Sequence, residues 1–313
     1  MPKIAFICPG QASQVVGMGK DLCEAFPIAR QRFAQADDLL GEPLSRICFS
    51  GPEETLKQTR YTQPALFVHS AAVADMLREQ GILPAMTAGH SLGEYSALYA
   101  AGAVDFEAAL KVVQVRGVGM QTAGEKNPGT MAAIMGLEEV QLRQLCIDAS
   151  AEGVVQPANF NSPGQVVISG SVSGVRKAME LAKQSGAKLV KELVVSGAFH
   201  SPLMEPARES LFAALDALQI RPPRCPVYAN VTATSAGDPE KIRQRLKDQL
   251  LSPVLWMQSI QAMIRDGATH FIEVGPGNVL TGLLKRIDRH TEALQAGTVD
   301  DLNKIASGLR PSQ

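Results

Sequence analysis

At 313 residues, 45% hydrophobic and 19% charged, the chain has the make-up of an ordinary soluble globular protein, long enough for one large core or two unequal ones. Thirty basic against thirty-one acidic residues exclude a global electrostatic pull toward nucleic acid or membrane. Five scattered cysteines, Cys8, Cys23, Cys48, Cys146 and Cys225, with no Cys-x-x-Cys pair, argue against a disulfide framework or a zinc site and point to a reducing cytoplasm.

Residues 3–8 read as a buried strand, too short for a signal-peptide core, and no later segment has the apolar length of a membrane span. A turn-rich loop, Pro9-Gly10-Gln11-Ala12-Ser13-Gln14, follows it; strand ends of this kind are where sites assemble in open α/β sheets. Residues 21–40 have a helical pattern that Pro27 splits, residues 53–59 a short polar helix, and Gln63-Pro64 opens a helix running to about residue 80. Next comes the stretch around which the chain is organised. The apolar lead-in Pro84-Ala85-Met86-Thr87-Ala88 runs into Gly89-His90-Ser91-Leu92-Gly93, and helical sequence follows without a break. Strand, sharp turn and helix are the setting of a nucleophile elbow, and the two glycines supply a backbone path that a side chain would block.

Residues 105–121 carry an apolar stripe of Phe106, Ala109, Leu110, Val113, Gly117 and Met120, and Arg116 falls on it. A cation there needs an anionic partner, because burying it unpaired is prohibitively costly. It either snorkels or pairs with a structural carboxylate, or it is a planar fork for the carboxylate of a substrate. Residues 128–196 then form a compact βαββαβ unit of ferredoxin-like order, with the turn Asn161-Ser162-Pro163-Gly164 at its centre. The chain re-enters the larger unit at Ala198-Phe199-His200-Ser201-Pro202, where Ser201 as cap and Pro202 at the first helical position predict a helix start. The positive end of that helix favours a neutral His200, the state a general base needs. His69, His270 and His290 read as structural, and His90, next to Ser91 on a turn, points away from it.

Residues 241–247 are a basic helical stretch, read as a solvated face that could also meet an acidic partner. Helix 259–266, strand 269–274, the turn Gly275-Pro276-Gly277-Asn278 and helix 279–287 follow. That turn lacks the Walker spacing and is read as structural. The last dozen residues are expected to be a fraying polar tail.

Several motifs occur together and in order: Pro9-Gly10-Gln11 with Ser13-Gln14, Gln63-Pro64-Ala65, Gly89-His90-Ser91-Leu92-Gly93-Glu94, Arg116-Gly117 with Met120, Ala198-Phe199-His200-Ser201, and Glu273-Val274-Gly275-Pro276-Gly277. Through them the chain resembles the malonyl-CoA:acyl-carrier-protein transacylases over nearly its whole length. One departure stands out: Ala12 replaces the second glycine of a loop that usually reads Gly-Gln-Gly-Ser-Gln, which is tolerated only if the residue keeps a conformation open to side chains.

The resemblance implies an α/β fold in which a large α/β-hydrolase-like subdomain with a parallel sheet, residues 1–127 and 197–313, carries an inserted ferredoxin-like small subdomain, residues 128–196. It implies malonyl transfer from malonyl-CoA to the phosphopantetheine thiol of acyl carrier protein through a malonyl-Ser91 ester, for fatty-acid synthesis. His200 is then the base, the Gln11 and Leu92 amides the oxyanion hole, and Arg116 the clamp on the malonyl carboxylate. Gln63, Met120 and Phe199 line the acyl pocket. The Gln249 main-chain carbonyl orients His200, so that changing the Gln249 side chain should hurt less than changing Ser91 or His200. No metal and no cofactor are implied, since coenzyme A is part of the substrate and phosphopantetheine belongs to the partner. A cytoplasmic monomer without nucleic-acid or membrane partners is expected. A discrete acyltransferase serving a polyketide synthase, a serine acyl hydrolase using the same Ser-His pair, and a non-catalytic carrier-docking module remain the alternatives.

Overall fold

Apolar runs become strands here because both sides of them are covered. The structure, a computed structural model, describes residues 2–308. Its strands are β1 Ile4–Cys8, β2 Met86–Gly89, β3 Gly129–Met135, β4 Val155–Ser162, β5 Gln165–Ser171, β6 Leu189–Glu192, β7 Val227–Tyr228, β8 Ser235–Ala236, β9 His270–Glu273 and β10 Glu292–Gln295. They form a six-stranded sheet in the order β10-β9-β1-β2-β7-β8 and a four-stranded sheet in the order β4-β5-β3-β6. The first is parallel except at the β7–β8 edge, which is antiparallel. On β1, Phe6 and Cys8 face one apolar cluster while Ala5 and Ile7 face another. Such two-sided burial is what a continuous Ile-Ala-Phe-Ile-Cys run encodes.

The helices supply the covers. Helices α1 Lys20–Ala25 and α2 Pro27–Leu40 split at Pro27 as expected, followed by α3 Leu44–Ser50 and α4 Glu53–Leu56. Helix α5 spans Thr59–Glu79 and so begins one turn before the predicted start at Gln63-Pro64. Pro64 is tolerated inside it because only the carbonyl of solvent-exposed Arg60 loses its partner. Helix α6 Gly93–Ala100 leaves the elbow, and α7 Phe106–Lys126 outruns its predicted end by more than a turn. Helices α8 Glu139–Ala149 and α9 Val172–Gln184 pack with Phe160, Ile134 and Ile168 under the four-stranded sheet. A 3₁₀ turn, Pro202–Ala207, runs into α10 Arg208–Ala217, and α11 Pro239–Gln249 carries the basic stretch. On the far face of the parallel sheet, α12 Trp256–Arg265 and α13 Val279–Ile287 bury Ile260, Met263, Leu280 and Leu284. The chain continues into α14 Val299–Gly308.

The four-stranded sheet runs β3-α8-β4-β5-α9-β6 with every pair antiparallel, the ferredoxin-like order expected of that stretch. Strand β4 extends to Ser162, so only Pro163-Gly164 remain as the turn. While still paired with β5 on one edge, β4 bonds the segment at Val254 on the other. The Phe160 amide donates to the Val254 carbonyl at 2.9 Å, and the Val254 amide to the Ala158 carbonyl at 2.8 Å.

The expected polar tail is in large part structured. Leu302 and Ile305 are buried on one face of α14, and β10 extends the parallel sheet ahead of it. Residues 309–313 of that tail lie outside the described residues. Among the described residues, no helix is long and apolar enough to cross a membrane.

Candidate active site

Two loops leave the carboxyl ends of adjacent strands β1 and β2, and glycines let them touch. A Cβ on Gly10 would sit 2.3 Å from the His90 carbonyl oxygen, one on Gly93 2.0 Å from the Cys8 oxygen, and one on Gly89 1.8 Å from the Gly93 carbonyl carbon. With no room for those side chains, the Ser91 turn is pressed against the Gln11 loop. Ser91 itself is left-handed, at φ +52°, as are Ala12 at +83° and His200 at +57°. Three of the four left-handed non-glycine residues among those described thus belong to this one place, where strain is retained because the surroundings over-determine it. Ala12 does not take the relaxed conformation that its replacement of glycine called for. Its amide donates to the Gln14 side chain at 2.8 Å.

Ser91 Oγ lies 2.8 Å from His200 Nε2, and His200 Nδ1 lies 2.9 Å from the Gln249 carbonyl oxygen. A carbonyl accepts only, so Nδ1 carries the proton and Nε2 is left to accept from the serine hydroxyl. His200 is buried, which pushes its pKa down to about 3; the nearby Arg116 charge adds to the effect, while the hydrogen bond to Gln249 opposes it. Its neutrality therefore comes from burial. The expected helix dipole contributes little, because the element after Ser201 is a short 3₁₀ turn, although Ser201 does cap it by accepting from the Leu203 amide.

Arg116 is 1% exposed in the middle of α7, on the stripe where its spacing put it. Among the described residues, no carboxylate touches it. Its Nη2 donates to Ser91 Oγ and to Gln249 Oε1, both at 2.9 Å, and its Nη1 to Gln63 Oε1 at 2.9 Å. The Tyr95 ring lies 5.6 Å from the guanidinium carbon, and Nε has no hydrogen-bond partner. Burial pulls the guanidinium below its ordinary value, with Tyr95 and Glu94 acting in the other direction. The charge is held by neutral amide and hydroxyl oxygens, beside the serine, with donors to spare.

Gln63, Met120 and Phe199 are buried, and Gln63 Nε2 reaches the Met120 sulfur at 3.3 Å. Gln11 ties its side chain to Thr59 at 3.2 Å, leaving its main chain at the elbow. Among the described residues, neither the Gln11 nor the Leu92 amide has an intramolecular acceptor. His90 is turned away from the serine, with Nε2 2.9 Å from Asn161 Oδ1 and its ring beside Trp256.

The Gln249 side chain is far from idle. Its amide donates to Glu94 Oε2 at 2.7 Å and to the Ser91 carbonyl at 3.1 Å, while its oxygen holds Arg116. A main-chain role alone does not describe it. Sequence reasoning also passed over Asn230, which accepts from the Ser91 amide at 2.7 Å and donates to the Gly89 carbonyl at 2.6 Å. Gln156 of β4, likewise unremarked, donates to the His200 carbonyl at 2.8 Å and to that of Leu251 at 3.0 Å.

A model of the acyl transferase domain matches residues 5–304. The chain belongs to the acyl transferase family. Within that family it is 48% identical to the malonyl CoA-acyl carrier protein transacylase of Bacillus subtilis (strain 168), over 99% of this chain and 98% of the relative. The structure of the malonyl CoA-acyl carrier protein transacylase from Coxiella burnetii superposes with a TM-score of 0.94 at 41% identity, covering 98% of each chain. A malonyl-transacylase solved in complex with its type II polyketide-synthase acyl-carrier protein superposes equally well, with a TM-score of 0.94 at 40% identity over 97% of this chain and 99% of that one.

Proposed function

We propose that this acyltransferase moves a malonyl group from malonyl-CoA to the phosphopantetheine thiol of an acyl carrier protein, supplying fatty-acid synthesis. The observation that carries the reading is Arg116: a buried cation 2.9 Å from the Ser91 oxygen with no carboxylate in contact among the described residues. A three-carbon acyl group esterified to Ser91 brings its own carboxylate to that cation. Its relatives' names point to the same substrates.

In the first half-reaction Ser91 Oγ attacks the thioester carbonyl carbon while His200 Nε2 takes the hydroxyl proton. The negative oxygen that forms is held by the Gln11 and Leu92 amides, donors of a kind each worth about 3 kcal/mol in acyl transfer. The C–S bond then breaks, His200 returns the proton to the departing thiol, and a malonyl-serine ester remains. In the second half the carrier thiol gives its proton to His200 and attacks the ester, and the Ser91 oxygen leaves with that proton. The Gln249 carbonyl holds the Nδ1 proton throughout, so that Nε2 is the atom that takes and returns the transferred one. No cofactor enters this sequence. All these groups come from one chain, in keeping with a monomer, and the five unpaired cysteines fit a cytoplasmic enzyme.

Intact-protein mass spectrometry after mixing with malonyl-CoA or acetyl-CoA tests the reading. Wild type should take up malonyl in preference to acetyl and hold it until carrier protein is added, Ser91→Ala should take up neither, and Arg116→Ala should lose about 100-fold in malonyl labelling rate with little change for acetyl. Equal labelling of wild type by both donors contradicts it, and loss of the label to water without carrier indicates a hydrolase. The polyketide alternative is favoured by one observation, the likeness to a transacylase held with a polyketide carrier; transfer rates to the two kinds of carrier protein separate them.

A further inference from the structure

Behind the nucleophile lies a carboxylate that the reaction does not use. Glu94 is the second residue of α6, 3% exposed, and it touches neither Ser91 Oγ nor Arg116. Its Oε2 accepts from two donors: the Gln249 side-chain amide at 2.7 Å and the Asn230 main-chain amide at 3.1 Å. Each of those residues then makes a contact with the reacting groups. Gln249 holds Arg116 Nη2 through its amide oxygen and His200 Nδ1 through its carbonyl. Asn230 accepts from the Ser91 amide and donates to the Gly89 carbonyl, gripping both sides of the strained turn.

We infer that Glu94 is a positioning residue, whose single oxygen fixes the Gln249 side chain and the Asn230 main chain and thereby sets the Arg116 guanidinium and the Ser91 turn at their working separation. The inference rests on the malonyl-transfer reading above. An amide side chain can satisfy only some of its hydrogen bonds at random, and Gln249 has a choice of orientations. With its nitrogen drawn to Glu94, its oxygen is left facing Arg116. Were the amide flipped, an N–H pair would confront the guanidinium, and the clamp would be pushed off the serine. Because both bonds land on Oε2, the role needs an acceptor rather than a full charge. Burial raises the Glu94 pKa to about 7, with Gln249, Asn230, Arg116 and Arg245 each pulling it back, and a proton on Oε1 leaves the two bonds intact.

The test compares Glu94→Gln, Glu94→Ala and Glu94→Asp by malonyl and acetyl labelling rates, each after its unfolding midpoint confirms a folded protein. Glu94→Gln keeps an acceptor in place and should label with malonyl within about threefold of wild type. Glu94→Ala removes it, and a misplacement on the order of 1 Å at a reacting centre costs about 100-fold. The expected pattern is a malonyl rate down about 100-fold and an acetyl rate down only about tenfold, because acetyl needs the Ser91 turn but not the clamp. Glu94→Asp, which withdraws the acceptor by one methylene, should repeat that pattern and stands in if the alanine variant does not fold. An unchanged malonyl-to-acetyl ratio in Glu94→Ala or Glu94→Asp overturns the inference, as does a Glu94→Gln enzyme as impaired as Glu94→Ala. Failure of the malonyl-transfer reading is distinguishable, since it shows in the wild type, as equal labelling by the two donors.

Discussion

His200 sits in a place that suits the neutral imidazole and disfavours the charged one. Desolvation comes first among the causes, and the Arg116 charge next, with His90 a smaller like-signed influence. An imidazole lowered from 6.5 to about 3 stays unprotonated, and able to accept a proton, far below neutrality. The rate of malonyl-enzyme formation, followed by rapid quench and mass spectrometry, should therefore hold up from pH 7 to pH 5; a fall centred near pH 6.5 would contradict this account. The residues of this machinery differ in how openly the sequence displayed them. Ser91 stood between two glycines, and Arg116 stood on an apolar stripe, so their local patterns sufficed. Gln249 was marked by the resemblance for its main-chain carbonyl alone; that its side chain reaches Ser91 across 158 positions of chain, and that Asn230 does so across 139, nothing in their own neighbourhoods shows. Only the fold brings them there.

Among the elements, the elbow is the least forgiving. Gly89→Ala places a methyl 1.8 Å from a backbone carbon that cannot swing aside, whereas a methyl on Gly282, inside α13, meets nothing within 4 Å. Denaturant unfolding should show Gly89→Ala losing at least about 3 kcal/mol, or no folded protein at all, while Gly282→Ala gains up to about 1 kcal/mol from its better helix propensity. Equal effects would mean that the close approach at Gly89 is not what holds the turn. Most elements were legible because their signals are local: short continuous apolar runs, three-four apolar spacing, Pro27, the Ser201 cap. The end of the chain was not. Strand β10 reads Glu-Ala-Leu-Gln, with no apolar run, and is a strand because β9 offers it an edge. Helix α14 has few apolar residues but spends two of them, Leu302 and Ile305, on one buried face.

At the scale of the whole molecule, buried titratable groups tie stability to pH. His69 lies in α5 with neither ring nitrogen hydrogen-bonded, and burial lowers its pKa to about 4. In the unfolded chain it takes up its proton near pH 6.5, so its share of stability is whole above that value and drains away as the pH falls toward 4. His69→Leu, which removes an unsatisfied polar group, should be at least about 1 kcal/mol more stable than wild type at pH 7, and that gap should widen by about 2 kcal/mol at pH 5, read from chemical denaturation at both values. The two sheets are joined by more than the chain crossings between them. Strand β4 exchanges main-chain bonds with Val254, and its Gln156 side chain grips the carbonyl of His200. The unit from β3 to β6 is thus no interchangeable cassette: a chimera that borrows it from a relative imports a new setting for the imidazole on which the whole exchange turns.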